Sequence, residues 1–212
     1  MSEPCTLFID RYWISPYAMS CFVALEELRV PYVLQELSVG DGEHRGPGYE
    51  ALTGRIPSLK HGSFVLAESQ AICEYLNDVF GNGESTLYPR DVHARAVARQ
   101  IQAWVRSDLD AIRAERATHT IWFAHATEPL SEKGLAAQAK LLRAANAWVG
   151  DRTQLFETWS IADADLALML RRLSASDPDA LPENLARYVA HQWTRPSLAR
   201  WDAKVRPAYV PY

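Results

Sequence analysis

Two hydrophobic periodicities meet in this chain, and the point where one gives way to the other limits what it can fold into. Through Val79, short runs with strand character alternate with stripes at three- and four-residue steps; beyond it only the helical step persists. Cys5 to Ile9 is a short apolar run and reads as a strand. Pro16 to Val30 carries Ala18, Phe22, Leu25 and Leu28 on one stripe, an amphipathic helix that Pro31 stops. Tyr32 to Val39 alternates through Val33, Gln35, Leu37 and Val39 as a second strand. Pro57 to His61 and Phe64 to Ala67 are two runs joined at Gly62-Ser63, a hairpin signal, and Ser69 to Val79 repeats Ile72, Tyr75, Leu76 and Val79 as a helix. The order β-α-β-(loop)-β-β-α predicts a mixed sheet, because the first pair needs a crossover helix and the last pair is a hairpin.

Between the second strand and the hairpin, Gly40 to Gly54 holds five of the ten glycines and reads as a loop, a place where function concentrates. Gly81-Asn82-Gly83 and Pro89 mark a linker at 81–90. The chain thus divides into an α/β domain over 1–80 and an all-helical domain over 91–212. In the second, Val97, Ile101, Trp104, Val105, Leu109 and Ile112 form one long stripe, and Leu135 to Val149 forms another. Ser160-Ile161-Ala162-Asp163 fits a capping box, structural in purpose, opening a helix whose first turns are apolar apart from Asp163 and Asp165. Leu185 to Trp193 and Ser197 to Val205 complete the helical material. Six of the seven tryptophans lie beyond residue 100, which predicts an aromatic core there.

Composition narrows the function. A net charge of −4 and a pI near 5.9 argue against a nucleic-acid partner. No apolar run approaches the roughly 20 residues that span a bilayer, and Met1-Ser2-Glu3-Pro4-Cys5 lacks the features of a signal peptide; a cytoplasmic protein without a membrane partner is expected. Cys5, Cys21 and Cys73 are odd in number and form no CxxC or Cys/His cluster, so neither a disulfide framework nor a metal site is expected. Cys73, on the stripe with Ile72 and Tyr75, reads as buried packing.

Three short motifs carry chemistry. At Ser15-Pro16-Tyr17 a strand end feeds a helix N-terminus, which exposes unpaired N–H donors and a positive dipole end suited to an anion such as a thiolate. Ser15 reads equally as an N-cap with Pro16 at the first helical position, and both roles can hold together. Glu68-Ser69 opens another helix, where the acid and the hydroxyl suit the ammonium and carboxylate of an amino-acid end group; a plain N-cap is the alternative. Ile56-Pro57 lies between them. Taken together they read as a cradle for a small thiol peptide.

The whole pattern, with its Ile-Pro turn, its Glu-Ser before the last α/β helix and its Ser-x-x-Asp box in a helical second half, resembles the glutathione S-transferase superfamily. The resemblance covers essentially the whole chain and is nearest a bacterial group with Ser-Pro-Tyr at the first helix. It implies a thioredoxin-like domain followed by a helical bundle that contributes the electrophile pocket, in a cytoplasmic homodimer serving detoxification and oxidative stress. It implies that glutathione is the co-substrate, that the Ser15 hydroxyl donates to its sulfur, and that Ile56-Pro57 is cis with the Ile56 backbone binding the peptide. Arg55, Pro57, Glu68 and Ser69 complete the implied glutathione site. The partner substrate would be a small hydrophobic electrophile or peroxide. Tyr12 is the rival thiolate ligand. His44 and Arg45 are candidates for the glycyl carboxylate, or surface groups. Trp122 and Phe123 line the second pocket or the core; Asp108 faces the cleft, a partner subunit, or an arginine such as Arg106. A fold relative that binds ligands or partners without catalysis is the alternative.

Overall fold

The computed structural model describes residues 3–82 and 86–212; Met1, Ser2 and residues 83–85, including Gly83 of the expected linker, lie outside the described residues. The first elements are β1 (Cys5–Asp10), α1 (Pro16–Glu27), β2 (Tyr32–Leu37), β3 (Ser58–His61), β4 (Phe64–Ala67) and α2 (Ser69–Phe80). The sheet order is β2-β1-β3-β4, with β1 parallel to β2 and antiparallel to β3, and β3 antiparallel to β4. This is the mixed sheet that the element order predicts. Cys5, Leu7 and Ile9 are fully buried, as the period of two requires.

Two helix readings shift. Residues Ala18 to Leu25 of α1 are all buried, so this helix is enclosed around its circumference and is not amphipathic. On α2 the buried face is Ile72, Cys73 and Leu76, with Val79 47% exposed; Cys73 takes the place expected for Tyr75. Cys73 owes its burial to this face, where it meets Ser20 of α1 at 3.6 Å.

The helical material is α3 (Val92–Ser107), α4 (Asp110–Glu115), α5 (His119–Trp122), α6 (Glu132–Val149), α7 (Ile161–Ser174), α8 (Glu183–Trp193) and α9 (Pro196–Asp202). The stripe expected as one helix through Ile112 is broken after Ser107. Asp108 is extended and Leu109 sits at φ 65°, yet Leu109 and Ile112 both remain buried. Polar groups compensate the break. Arg113 donates to the carbonyls of Val105, Arg106 and Asp108, and Trp104 Nε1 and the Leu109 N–H donate to the Asp108 carboxylate. Asp108 also pairs with Lys140, whereas Arg106 pairs with Asp165 at 2.9 Å.

Helix α7 runs buried from Ile161 to Leu170. Its capping box is present: Asp163 Oδ2 accepts from Ser160 N at 2.9 Å, and Ser160 Oγ accepts from Ala162 N at 3.2 Å. Asp163 Oδ1 accepts from Leu155 N and from the Tyr188 hydroxyl, so the buried carboxylate is fully occupied. The expected tryptophan core does not form. Trp104, Trp122, Trp148, Trp159 and Trp193 are only partly buried, and the helical interior is mainly aliphatic, with Tyr88 and Tyr188 as its large buried aromatic side chains.

The described chain forms two compact units, one running to Leu87 and taking in Ala199–Tyr212, the other Tyr88–Leu198. In the first, Trp201 is fully buried with its ring 4.8 Å from Trp13 and 5.4 Å from Phe22. No described helix is long and apolar enough to cross a membrane.

Candidate active site

Strand register decides which loops share an end of the sheet. β1 and β2 run together and finish at the pair Asp10 and Leu37. β3 begins at Ser58 opposite Phe8, so Arg55, Ile56 and Pro57 enter from that same end. Ser58 also pairs with Ala67, which brings Glu68 and Ser69 there as β4 leaves the sheet. The loop after β2, with His44 and Arg45, starts from the same edge. All the glutathione-site residues named from sequence thus gather at the carboxyl ends of the parallel strands, where open α/β sheets hold ligands. The Cys21 thiol, in the middle of α1, lies 3.7 Å from the Ser69 carbonyl and ties α1 to the opening of α2.

Ser15 sits at the mouth of α1 as its N-cap. Its Oγ accepts from Ala18 N at 3.2 Å, and Pro16 occupies the first helical position. An accepting hydroxyl keeps its proton free to donate. Behind it, Asp10 is 1% exposed and its two carboxylate oxygens accept from Ile14 N and Ser15 N, each at 3.0 Å. Burial holds the Asp10 carboxyl above the usual range, against the lowering effect of those N–H groups. The turn that presents Ser15 is therefore pinned from inside. Sequence reading missed Asp10, although an Asp just before a tight turn is a known signal for local hydrogen bonding.

Ile56-Pro57 is cis, as the resemblance implies, and the Ile56 N–H and C=O have no hydrogen-bond partner among the described residues. Arg55 is exposed, with its carbonyl accepting from the Tyr49 hydroxyl. Glu68 adopts φ 70°, a left-handed backbone that a non-glycine residue occupies only under constraint. Its side chain is exposed and its carbonyl accepts from Ile72 N, while Ser69 is buried at the first position of α2. His44 is 6% exposed with Nδ1 unpartnered among the described residues. Burial, then the neighbouring Arg45 cation, holds its imidazole below the ordinary range, so at neutral pH it is an uncharged donor or acceptor.

Tyr12 is placed differently. It is 4% exposed, and its hydroxyl accepts from Val210 N at 3.3 Å and Arg11 Nη2 at 3.2 Å. Tyr209 meets its ring edge-on and Tyr212 stacks at 6.2 Å. Tyr212 also packs on Gly40, where an added Cβ would lie 3.1 Å from the Tyr212 Cβ. The C-terminal segment thus engages the hydroxyl of the rival tyrosine. No periodicity announces such a contact, because its partners are remote in sequence. Trp122 and Phe123 are partly buried at the end of α5, with the Arg171 guanidinium 6.0 Å from the Trp122 ring. Among the described residues no group of three or more His, Cys, Asp or Glu side chains could hold a metal ion.

Comparison with known proteins adds lineage to geometry. The glutathione S-transferase N-terminal domain family matches residues 14–79, and the corresponding C-terminal domain family matches 91–205. Glutathione S-transferase 2 of Anopheles gambiae is 38% identical over 96 residues, which cover 43% of this chain and 46% of that protein. Human glutathione S-transferase theta-2 is 28% identical over 100 residues, 46% of this chain and 40% of that protein. The chain therefore spans under half the length of these curated relatives. Among solved structures, a glutathione transferase homolog from Burkholderia, crystallised with bound glutathione, is 38% identical with a TM-score of 0.78, covering 94% of this chain and 96% of that one. Poplar glutathione transferase F1, at 21% identity and a TM-score of 0.68 over 94% of this chain and 97% of its own, shares the fold.

Proposed function

The chain belongs to the glutathione S-transferase family, and from that premise we propose that it is an enzyme that ionises the thiol of glutathione through Ser15. The thiolate then forms a thioether with a small hydrophobic electrophile as its leaving group departs, or attacks an organic peroxide. In the second case the O–O bond breaks to give an alcohol and a glutathione sulfenic acid, which a second glutathione converts to the disulfide and water. One observation carries this reading: Ser15 Oγ spends a lone pair on Ala18 N at the positive end of α1, leaving its proton for a sulfur anion. A free thiol has a pKa of about 8.5, and bringing it down by about 2 units takes roughly 2.7 kcal/mol of preferential anion stabilisation. A charge-assisted hydrogen bond and a helix N-terminus together are of that order.

The other residues bind. The unpartnered Ile56 N–H and C=O suit the cysteinyl backbone as an added strand, with Pro57 fixing the bend. Glu68 suits the γ-glutamyl ammonium, and Ser69 with the first N–H groups of α2 suits its carboxylate. His44, Arg45 and Arg55 remain for the glycyl end. The protein works in the cytoplasm as a homodimer in this reading, with mass by sedimentation as the check.

Ser15→Ala is expected to lower kcat/KM by about tenfold or more while glutathione still binds, and to return the bound thiol toward a pKa of about 8.5. Thiolate absorbance titrated against pH in the complex measures this directly. Tyr12→Phe should leave that titration unmoved. The reverse pattern, a silent Ser15→Ala and a damaging Tyr12→Phe, sinks the assignment.

A further inference from the structure

We propose that Tyr49 is a positioning residue, which aims the Ile56 N–H at the cysteinyl backbone of glutathione by holding the other end of the same peptide unit. The inference rests on the glutathione reading above and deepens it. Ile56-Pro57 is the one cis bond among the described residues, so Arg55 and Ile56 are joined by a trans peptide. Such a unit is planar, with its carbonyl oxygen and its N–H on opposite sides. Fixing the direction of one end therefore fixes the other. The Tyr49 hydroxyl donates to the Arg55 carbonyl at 2.5 Å, while the Ile56 N–H has no hydrogen-bond partner among the described residues. One end of the unit is anchored within the protein and the opposite end is left for a ligand. The residues before it do little to hold the plane: Gly54, at φ 57°, is conformationally permissive, and the Arg55 side chain is exposed.

The phenol is itself held against the sheet. Its ring meets Phe8 edge-on, with centroids 5.6 Å apart and planes at 85°. Phe8 of β1 pairs with Ser58, the residue that opens β3 directly after Pro57, so the ring packs where the cis turn enters the sheet. On the chain side, Tyr49 N donates to the Gly46 carbonyl at 3.0 Å, and the next residue, Glu50, pairs with Lys60 of β3 at 2.5 Å. Burial holds the Tyr49 phenol above its ordinary range, so the hydroxyl remains a donor through neutral pH. Its hydrogen bond does more than orient. A donor on the Arg55 carbonyl polarises the amide and makes the Ile56 N–H the stronger donor toward a ligand. A loop that shares no strand with Ile56 thus sets both the direction and the strength of its backbone contact.

The test uses the full chain with Tyr49→Phe, which removes the hydroxyl and leaves the ring on Phe8. Its fold should persist, with the thermal midpoint as the check. In calorimetry the variant should bind glutathione about fivefold more weakly than the wild type. The kcat at saturating glutathione and the pH titration of the bound thiol should stay as they are, because the Ser15 turn is untouched. Nuclear magnetic resonance on protein carrying isotope-labelled isoleucine reads the link itself. Saturating glutathione should move the wild-type Ile56 amide proton downfield, and move it less in Tyr49→Phe. Unchanged affinity in the variant overturns the proposal, as does an Ile56 shift that is equal in both proteins or absent from the wild type. A kcat that falls in step with affinity also overturns it, since that marks general damage to the site. Should the variant not fold, the wild-type Ile56 shift decides alone. Wild-type protein that binds glutathione without lowering its thiol pKa loses the Ser15 mechanism and keeps this inference; protein that binds none loses both.

Discussion

Glu68 is held at φ 70°, where glycine would rest without steric cost. A strained acid at the opening of α2 makes sense if its side chain is needed there. Glu68→Gly should therefore stabilise the fold by up to about 1 kcal/mol, read from the urea midpoint, while weakening glutathione by about fivefold or more in calorimetry. A variant that loses stability and keeps its affinity would contradict this. At the same scale, Ser15 was legible from sequence because its cap, Pro16 and the preceding strand are neighbours in the chain. Asp10 was not, since its value lies in folding back on Ile14 and Ser15 under full burial. His44 was legible only as a charge-bearing residue in a glycine-rich loop; its burial needed the fold.

Among the elements, α7 gives the clearest consequence for pH. Burial pushes the Asp163 carboxyl up to about 6, against the hydrogen bonds from Ser160, Leu155 and Tyr188 that favour its ionised form. A folded pKa above the unfolded value of about 3.9 means that the native state holds its proton longer as pH rises. Stability from this group is thus greatest below about pH 4 and falls away as pH climbs to about 6. The rise of roughly 2 units corresponds to about 3 kcal/mol. Comparing unfolding free energies of the wild type and Asp163→Asn across that window should show the wild type losing ground to the variant by an amount of this order. A difference independent of pH would refute the assignment. The capping box itself was readable, because its four residues are contiguous. The break between α3 and α4 was not: the apolar stripe continues through Leu109 and Ile112, and only the side chains of Asp108 and Arg113 reveal that the backbone turns aside.

For the whole molecule, the change from mixed to purely helical periodicity after Val79 foretold the two kinds of architecture, since each periodicity is local. It assigned the final residues to the helical half, whereas Ala199–Tyr212 groups with the sheet. Trp201 is the reason. It is fully buried against Trp13 and Phe22, and such side-chain matches between distant segments leave no trace in a periodicity. Trp201→Ala should cost about 3–5 kcal/mol in chemical unfolding. Residues 1–87 expressed alone should show no cooperative thermal transition, and a sharp one would contradict the role given to this segment.

That dependence bears on how the protein is made. The sheet is translated before the helical half, yet the tryptophan and tyrosines that complete its surface come after that half. Until then the nascent sheet must wait with Trp13, Phe22 and Tyr12 uncovered, and its native packing closes only after the helical half has been threaded out.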